Sequence, residues 1–174
     1  MKQSELLTLL KEVNQHLNTP CDVILIGGAA MILHYGAIRA TRDVDILIGR
    51  GDPQELRKAV KAVAQGHALS ETWMNDAAKG FADILPRDFY HRLIPLDVES
   101  GKLRLYVLGR PEQVAIKIVA LREQDLEDLE ILLPEMSVDD RRILVEIMHH
   151  VATFRTDWAQ KIRYFLLEQG WEIE

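Results

Sequence analysis

The run Asp43-Val44-Asp45-Ile46-Leu47-Ile48, taken with the upstream run Val23-Ile24-Leu25-Ile26-Gly27-Gly28, decides how this chain folds. Both runs are rich in β-branched and aliphatic residues, and each is bounded by turn residues, which is the pattern of a strand. Side chains alternate faces along a strand, so Asp43 and Asp45 share one face while Val44, Ile46 and Ile48 point into the core. Aspartate is depleted in strands. Two carboxylates on one face repel each other unless a positive charge neutralises them, and a divalent cation with oxygen ligands does that. The other reading of the pair is a solvated strand edge. Gly27-Gly28 also reads two ways. It is either a tight turn, or a backbone that comes close to a phosphate where the next helix begins. In combination, a phosphate cradle followed by a two-carboxylate strand is what a magnesium-dependent enzyme acting on a nucleoside triphosphate needs.

The bulk composition sets bounds on this reading. A chain of 174 residues with 48% hydrophobic and 28% charged residues is globular and long enough for a real core. Its net charge of −6 argues against nonspecific coating of nucleic acid, though not against a local basic cleft. The single cysteine, Cys21, excludes an intramolecular disulfide framework and suits a reducing cytoplasm. No apolar run approaches membrane-spanning length, and the N-terminal pattern is amphipathic rather than a signal peptide, so no membrane role is expected.

Working outward, Leu6, Leu10, Val13 and Leu17 recur at helical spacing ahead of the first strand. A short helix follows the glycine pair and ends near Gly36. Asp52-Pro53 reads as an N-cap with a first-turn proline, opening a helix through Leu56, Val60 and Val63. Residues 67–85 read as a hairpin whose second strand is Phe81-Ala82-Asp83-Ile84-Leu85, and residues 103–108 read as a further alternating strand. Helices then begin at Pro111 and near Asp125, another after a Ser137 capping box, and a last one carries Trp158, Ile162 and Phe165. This order is α/β or α+β, with the helices gathered at the C-terminal end.

Gly27-Gly28, fourteen residues, then Asp43-Val44-Asp45 resembles the signature of the DNA polymerase beta-type nucleotidyltransferase superfamily. With Gly36, Arg39 and Thr41 the stretch is similar to a branch of minimal bacterial nucleotidyltransferase-like proteins, some of which serve as toxins or antitoxins. The likeness extends from about residue 20 to 133 through Leu105-Tyr106-Val107-Leu108, Ala115-Ile116-Lys117 and the run from Arg122 to Leu129. It implies a nucleotidyltransferase fold, a small mixed sheet flanked by helices, over residues 1–133, with a helical C-terminal extension over 134–174. It also implies two magnesium ions held by three carboxylates, two on one strand and the third on a neighbouring strand. Asp43 and Asp45 match the first two positions. Asp83, on the second strand of the expected hairpin, is preferred for the third. Asp97, between Pro95 and Gly101, is the alternative, and its bland reading is a solvated turn.

For the nucleotide, the resemblance points to Gly27 and Gly28, to Arg39 and Thr41 in the loop before the carboxylate strand, and to Lys117. Lys117 is the one charge between Glu112 and Arg122. It either snorkels to the surface or brings its ammonium to triphosphate oxygens. Asp125 and Asp128 either orient it or are surface charges. The reaction implied is transfer of a nucleoside monophosphate from a triphosphate to a hydroxyl of an RNA, a protein or a small molecule. The alternative is a weakly active or inactive fold kept as an antitoxin-like binding protein, with a partner encoded nearby. A phosphatase fits less well, because Asp45 is followed by Ile46-Leu47 rather than a small hydroxylic residue. A dinucleotide-binding domain lacks its third spaced glycine.

Overall fold

A computed structural model describes residues 1–98 and 101–173. Chain contacts gather them into two compact units, Met1–Lys79 with Leu93–Leu108, and Gly80–Arg92 with Gly109–Glu174. Each has its own core.

The first unit is built on a five-stranded mixed sheet. Its strands are β1 (Cys21–Leu25), β2 (Val44–Arg50), β3 (Met74–Asn75), β4 (Ile94–Pro95) and β5 (Leu103–Val107), in the order β3-β2-β1-β5-β4. β1 runs antiparallel to β2 and parallel to β5, while β3 is parallel to β2 and β4 antiparallel to β5. Val23 faces Ile48 and Leu25 faces Ile46 across the β1–β2 pair, which puts these four side chains on one face of the sheet. Helix α1 (Gln3–His16) and helix α3 (Pro53–His67) pack together and cover that face. Leu6, Leu9, Leu10 and Val13 come from α1, and Leu56, Val60 and Val63 from α3. Helix α2 (Gly27–Leu33) leaves the end of β1 and packs against β2. Asp52 caps α3 as the sequence predicts: its carboxylate accepts the Gln54 N–H at 2.8 Å, and Pro53 opens the first turn.

The second unit is helical. It contains the end of a single turn, α4 (Lys79–Ala82), then a 3-10 turn (Arg87–Arg92), α5 (Arg110–Ala120), α6 (Glu123–Leu132), α7 (Val138–Ala152) and α8 (Thr156–Glu168). Every residue from Pro111 to Val119 is buried, because α5 packs against α6, α7 and α8. A helix apolar nearly all round belongs in such a position. The Ser137 capping box forms, with Ser137 Oγ accepting the Asp140 N–H at 3.0 Å and the Ser137 N–H reaching Asp140 Oδ2 at 2.9 Å. Among the described residues no helix is long and apolar enough to cross a membrane.

The expected hairpin over 67–85 does not form. Only Met74–Asn75 is strand, and it joins β2 in parallel. Over 81–85 the chain turns helically: the Ile84 N–H bonds the Phe81 carbonyl at 3.3 Å and the Leu85 N–H bonds the Ala82 carbonyl at 3.0 Å. The physical reason is the second unit's core. Ile84 and Leu85, adjacent in sequence, are both buried, and Phe81 stacks on Trp158 with ring centroids 5.8 Å apart. A strand cannot bury two successive residues on one face.

The cap on α3 is tested by Asp52→Ala, expected to lower the unfolding free energy by about 1 kcal/mol in denaturant melts, with the slope of the transition unchanged.

Candidate functional site

The antiparallel register brings the glycine pair and the carboxylate strand together. The Ile26 N–H donates to the Asp45 carbonyl at 3.0 Å, extending the β1–β2 ladder past the last residue of β1. The next residue, Gly27, adopts φ +60°, a left-handed conformation that glycine takes without strain. A Cβ there would also sit 3.2 Å from Asp45 Oδ2, so the carboxylate lies directly against glycine backbone. Gly28 is enclosed from the other side. A Cβ on it would lie 3.0 Å from Thr41 Oγ1 and 3.3 and 3.4 Å from the two terminal guanidinium nitrogens of Arg39. Thr41 is itself anchored, its hydroxyl donating to the Asp43 carbonyl at 3.0 Å. Gly27, Gly28, Arg39, Thr41, Asp43 and Asp45 are therefore one local constellation in the first unit.

Within it, Asp43 is exposed and Asp45 half-buried, while Val44 between them is fully buried. That alternation places both carboxylates on the solvent side, opposite the face covered by α3. The Val44 N–H donates to the Trp73 carbonyl at 2.7 Å, and Trp73, 2% exposed, donates its indole N–H to the Val60 carbonyl at 3.1 Å. The strand that carries the carboxylates is thereby tied to α3. Helix α2 has only seven residues, so its dipole is small.

Beside this constellation lies a cavity of about 470 Å³, lined among others by Ile32, Leu33, His34, Ala37, Ile38 and Arg39. Arg39 thus belongs to both the cavity wall and the surroundings of Gly28. His34 and Tyr35 meet edge to face at 4.7 Å, and the Tyr35 hydroxyl donates to the Leu108 carbonyl at 2.6 Å, which is a packing role for Tyr35.

Asp97 follows β4, the strand at the far edge from β3, and so is separated from β2 by β5 and β1. Three strand spacings put it roughly 14 Å to the side. It is also at the opposite end of the sheet: the Leu96 N–H bonds the Leu105 carbonyl, level with Val23, whereas Asp45 is level with Ile26. The sheet therefore does not place Asp97 beside the pair. Asp83 belongs to the second unit, exposed in the turn that follows α4, so the strand expected to present it is not formed. Among the described residues no group of three or more His, Cys, Asp or Glu is gathered closely enough to hold a metal ion. Two carboxylates suit one hard cation that shares its remaining ligands with phosphate oxygens. They do not make the three-carboxylate set of a two-ion centre.

Lys117 does not snorkel to the surface; Asp125 and Asp128 orient it, one of the two roles the sequence offered for them. Its residue is 2% exposed, and its ammonium lies 2.7 Å from Asp125 Oδ1 and 2.6 Å from Asp128 Oδ2, both carboxylates buried. Arg122 adds a bond to Asp125 Oδ2 at 2.9 Å. Burial alone would raise the Asp125 pKa, but the hydrogen bonds from Arg122 and Lys117 outweigh it and hold the carboxyl below its ordinary value. The triad ties α5 to α6 in the second unit's core.

Sequence reasoning missed Asn75. In the parallel β2–β3 register Asn75 is the partner of Asp45 and shares its face. Its side chain is fixed at both ends: Nδ2 donates to the Thr72 carbonyl at 3.0 Å, and Oδ1 accepts the Ala77 N–H at 2.9 Å. The available signal was Trp73-Met74 followed by turn residues, a short buried strand ending in an Asx turn.

A strand, a Gly-Gly turn into a helix and an antiparallel two-carboxylate strand within a mixed sheet flanked by helices define a nucleotidyltransferase-like domain. The chain belongs to the family described as nucleotidyltransferase of unknown function (DUF6036), which it matches over residues 4–173. Neither the curated proteins nor the solved structures contain a match.

Replacing Lys117 by Ala leaves two buried carboxylates without their shared cation and is expected to cost about 3–5 kcal/mol of stability, read from chemical denaturation. Unchanged stability with lost nucleotide binding would instead return Lys117 to the nucleotide.

Proposed function

We propose that this protein binds a nucleoside triphosphate at Gly27, Gly28, Arg39, Thr41, Asp43 and Asp45, and transfers its nucleoside monophosphate to a hydroxyl of an RNA, a protein or a small molecule. The observation that carries this reading is the close approach of Asp45 to the Gly27 backbone, with Thr41 and Arg39 closing on Gly28. Glycine at both positions lets the Asp45 carboxylate, the Thr41 hydroxyl and the Arg39 guanidinium come up against the main chain, where a Cβ would crowd them. Arg39 offers a planar, permanently charged donor set suited to phosphate oxygens. Asp43 and Asp45 would hold a magnesium ion on the solvent face, and the bound ion neutralises phosphate charge. The protein's own contribution is then orientation: the β1–β2 ladder fixes the carboxylates relative to the glycine backbone, and Thr41 fixes the loop that carries Arg39. The lone buried cysteine, Cys21, supports a cytoplasmic setting.

The second reading is a nucleotidyltransferase fold used for binding, as an antitoxin-like regulator of a partner encoded nearby. The observation favouring it is the amide of Asn75 beside Asp45, where a third carboxylate is absent.

Incubation with each labelled triphosphate, magnesium and cell extract is expected to label a macromolecule or small molecule with the wild-type protein and not with Asp43→Ala/Asp45→Ala. Calorimetry should show magnesium–triphosphate binding weakened about tenfold or more in the same variant, a loss of at least ~1.4 kcal/mol. Binding without labelling, together with co-elution with the product of a neighbouring gene, would favour the regulator. Equal binding by wild type and variant would remove both readings from this site.

A further inference from the structure

The sheet register determines what stands on either side of Asp45. Towards β1 its neighbours are Ile26, whose N–H bonds the Asp45 carbonyl, and Gly27, whose backbone faces its carboxylate. Neither can supply a ligand side chain. Towards β3 the neighbour is Asn75, on the same face and one strand spacing of about 4.8 Å away. This is the place in the sheet from which a third carboxylate would reach a cation shared by Asp43 and Asp45, and it holds an amide. The next residue, Asp76, alternates to the other face, where its carboxylate lies 3.5 Å from Arg57 on α3. Asp97 is at the far edge and the opposite end of the sheet.

The amide is held rather than loose. Donation from Nδ2 to Thr72 fixes which end is oxygen, and Oδ1 uses one lone pair on the Ala77 N–H and keeps a second. A neutral oxygen in that position contributes a dipole and no charge. Two carboxylates balance one divalent cation. A second ion at the same face would have to be held by phosphate charge alone, because the sheet offers it no third carboxylate.

Resting on the nucleotide site described above, we propose that the Asp43/Asp45 face takes a single divalent cation with its nucleotide, closed on the β3 side by the neutral Asn75, and is not a two-ion centre. The test counts Mn2+ by electron paramagnetic resonance titration in the presence of a non-hydrolysable triphosphate, subtracting the ions bound by Asp43→Ala/Asp45→Ala. Wild type and Asp83→Asn are both expected to bind one ion per chain, and Asn75→Asp two. Two ions in wild type, falling to one in Asp83→Asn, would overturn the proposal and leave the nucleotide site standing. A folded Asn75→Asp that still binds one ion would overturn it as well, because the β3 position would then not face the cation. No ion above the double-alanine background in wild type would overturn both the proposal and the site it rests on. If Asn75→Asp does not fold, the wild-type and Asp83→Asn counts still decide the matter.

Discussion

The hydrogen bond from the Ile26 N–H to the Asp45 carbonyl is the constraint on which the rest of the first unit depends. It carries the β1–β2 ladder one residue beyond β1, to the point where the chain turns through Gly27. A slip of one residue would move Val44, Ile46 and Ile48 off the face covered by α1 and α3 and drive Asp43 and Asp45 into it. The apolar residues on both strands therefore fix the register, and the register in turn fixes the distance between carboxylate and glycine backbone. The candidate site residue Asp45 lies on the opposite face, beside the buried Ile26 and Leu47. Its position follows from burial of residues that do no chemistry.

The second unit shows charge used differently. Lys117, Arg122, Asp125 and Asp128 form a neutral group, two cations against two anions, around the start of α6 and the inner side of α5. Arg92 similarly joins exposed Asp88 to fully buried Glu112, at 2.7 and 2.5 Å. Burial pushes the Glu112 carboxyl up despite its bond to Arg92. Such pairs add little net stability compared with well-packed apolar residues, but breaking one strands a buried charge. Through these pairs Lys117 ties α5 to α6. The cation that stands against the glycine pair is Arg39, from the loop immediately before the carboxylate strand.

Much of the first unit was legible in the sequence because its signals were local. The glycine pair, the two aspartates with apolar alternation and the Asp52-Pro53 cap each follow from a few adjacent residues, and the structure contains each of them. The hairpin over 67–85 was not legible. Phe81, Asp83 and Leu85 alternate like a strand, but what decides their conformation is burial of Ile84 and Leu85 and the Phe81–Trp158 stack, which a residue pattern does not record. For Lys117 the sequence offered Asp125 and Asp128 only as one of two readings, because they lie eight and eleven positions on and spacing alone does not say that α6 folds back on α5. Asn75 went unnoticed because a two-residue strand has no period. Its meaning comes only from the register that sets it beside Asp45.

That register bears on how the proposed cation site would behave before any nucleotide arrives. Asp43 is exposed to water, so its interaction with a cation is screened, and only Asp45 is partly withdrawn from solvent. Magnesium gives up its hydration shell reluctantly and takes one or two carboxylates plus phosphate oxygens in preference to an all-protein cage. A face with two carboxylates and an amide is suited to that arrangement: it leaves most of the coordination to the ligand. On the proposed reading, cation and triphosphate would bind as one unit, each raising the affinity for the other by the same factor. Placing the glycine backbone against Asp45 would make this coupling geometric, since the glycine turn and the carboxylate are set by the same pair of strands.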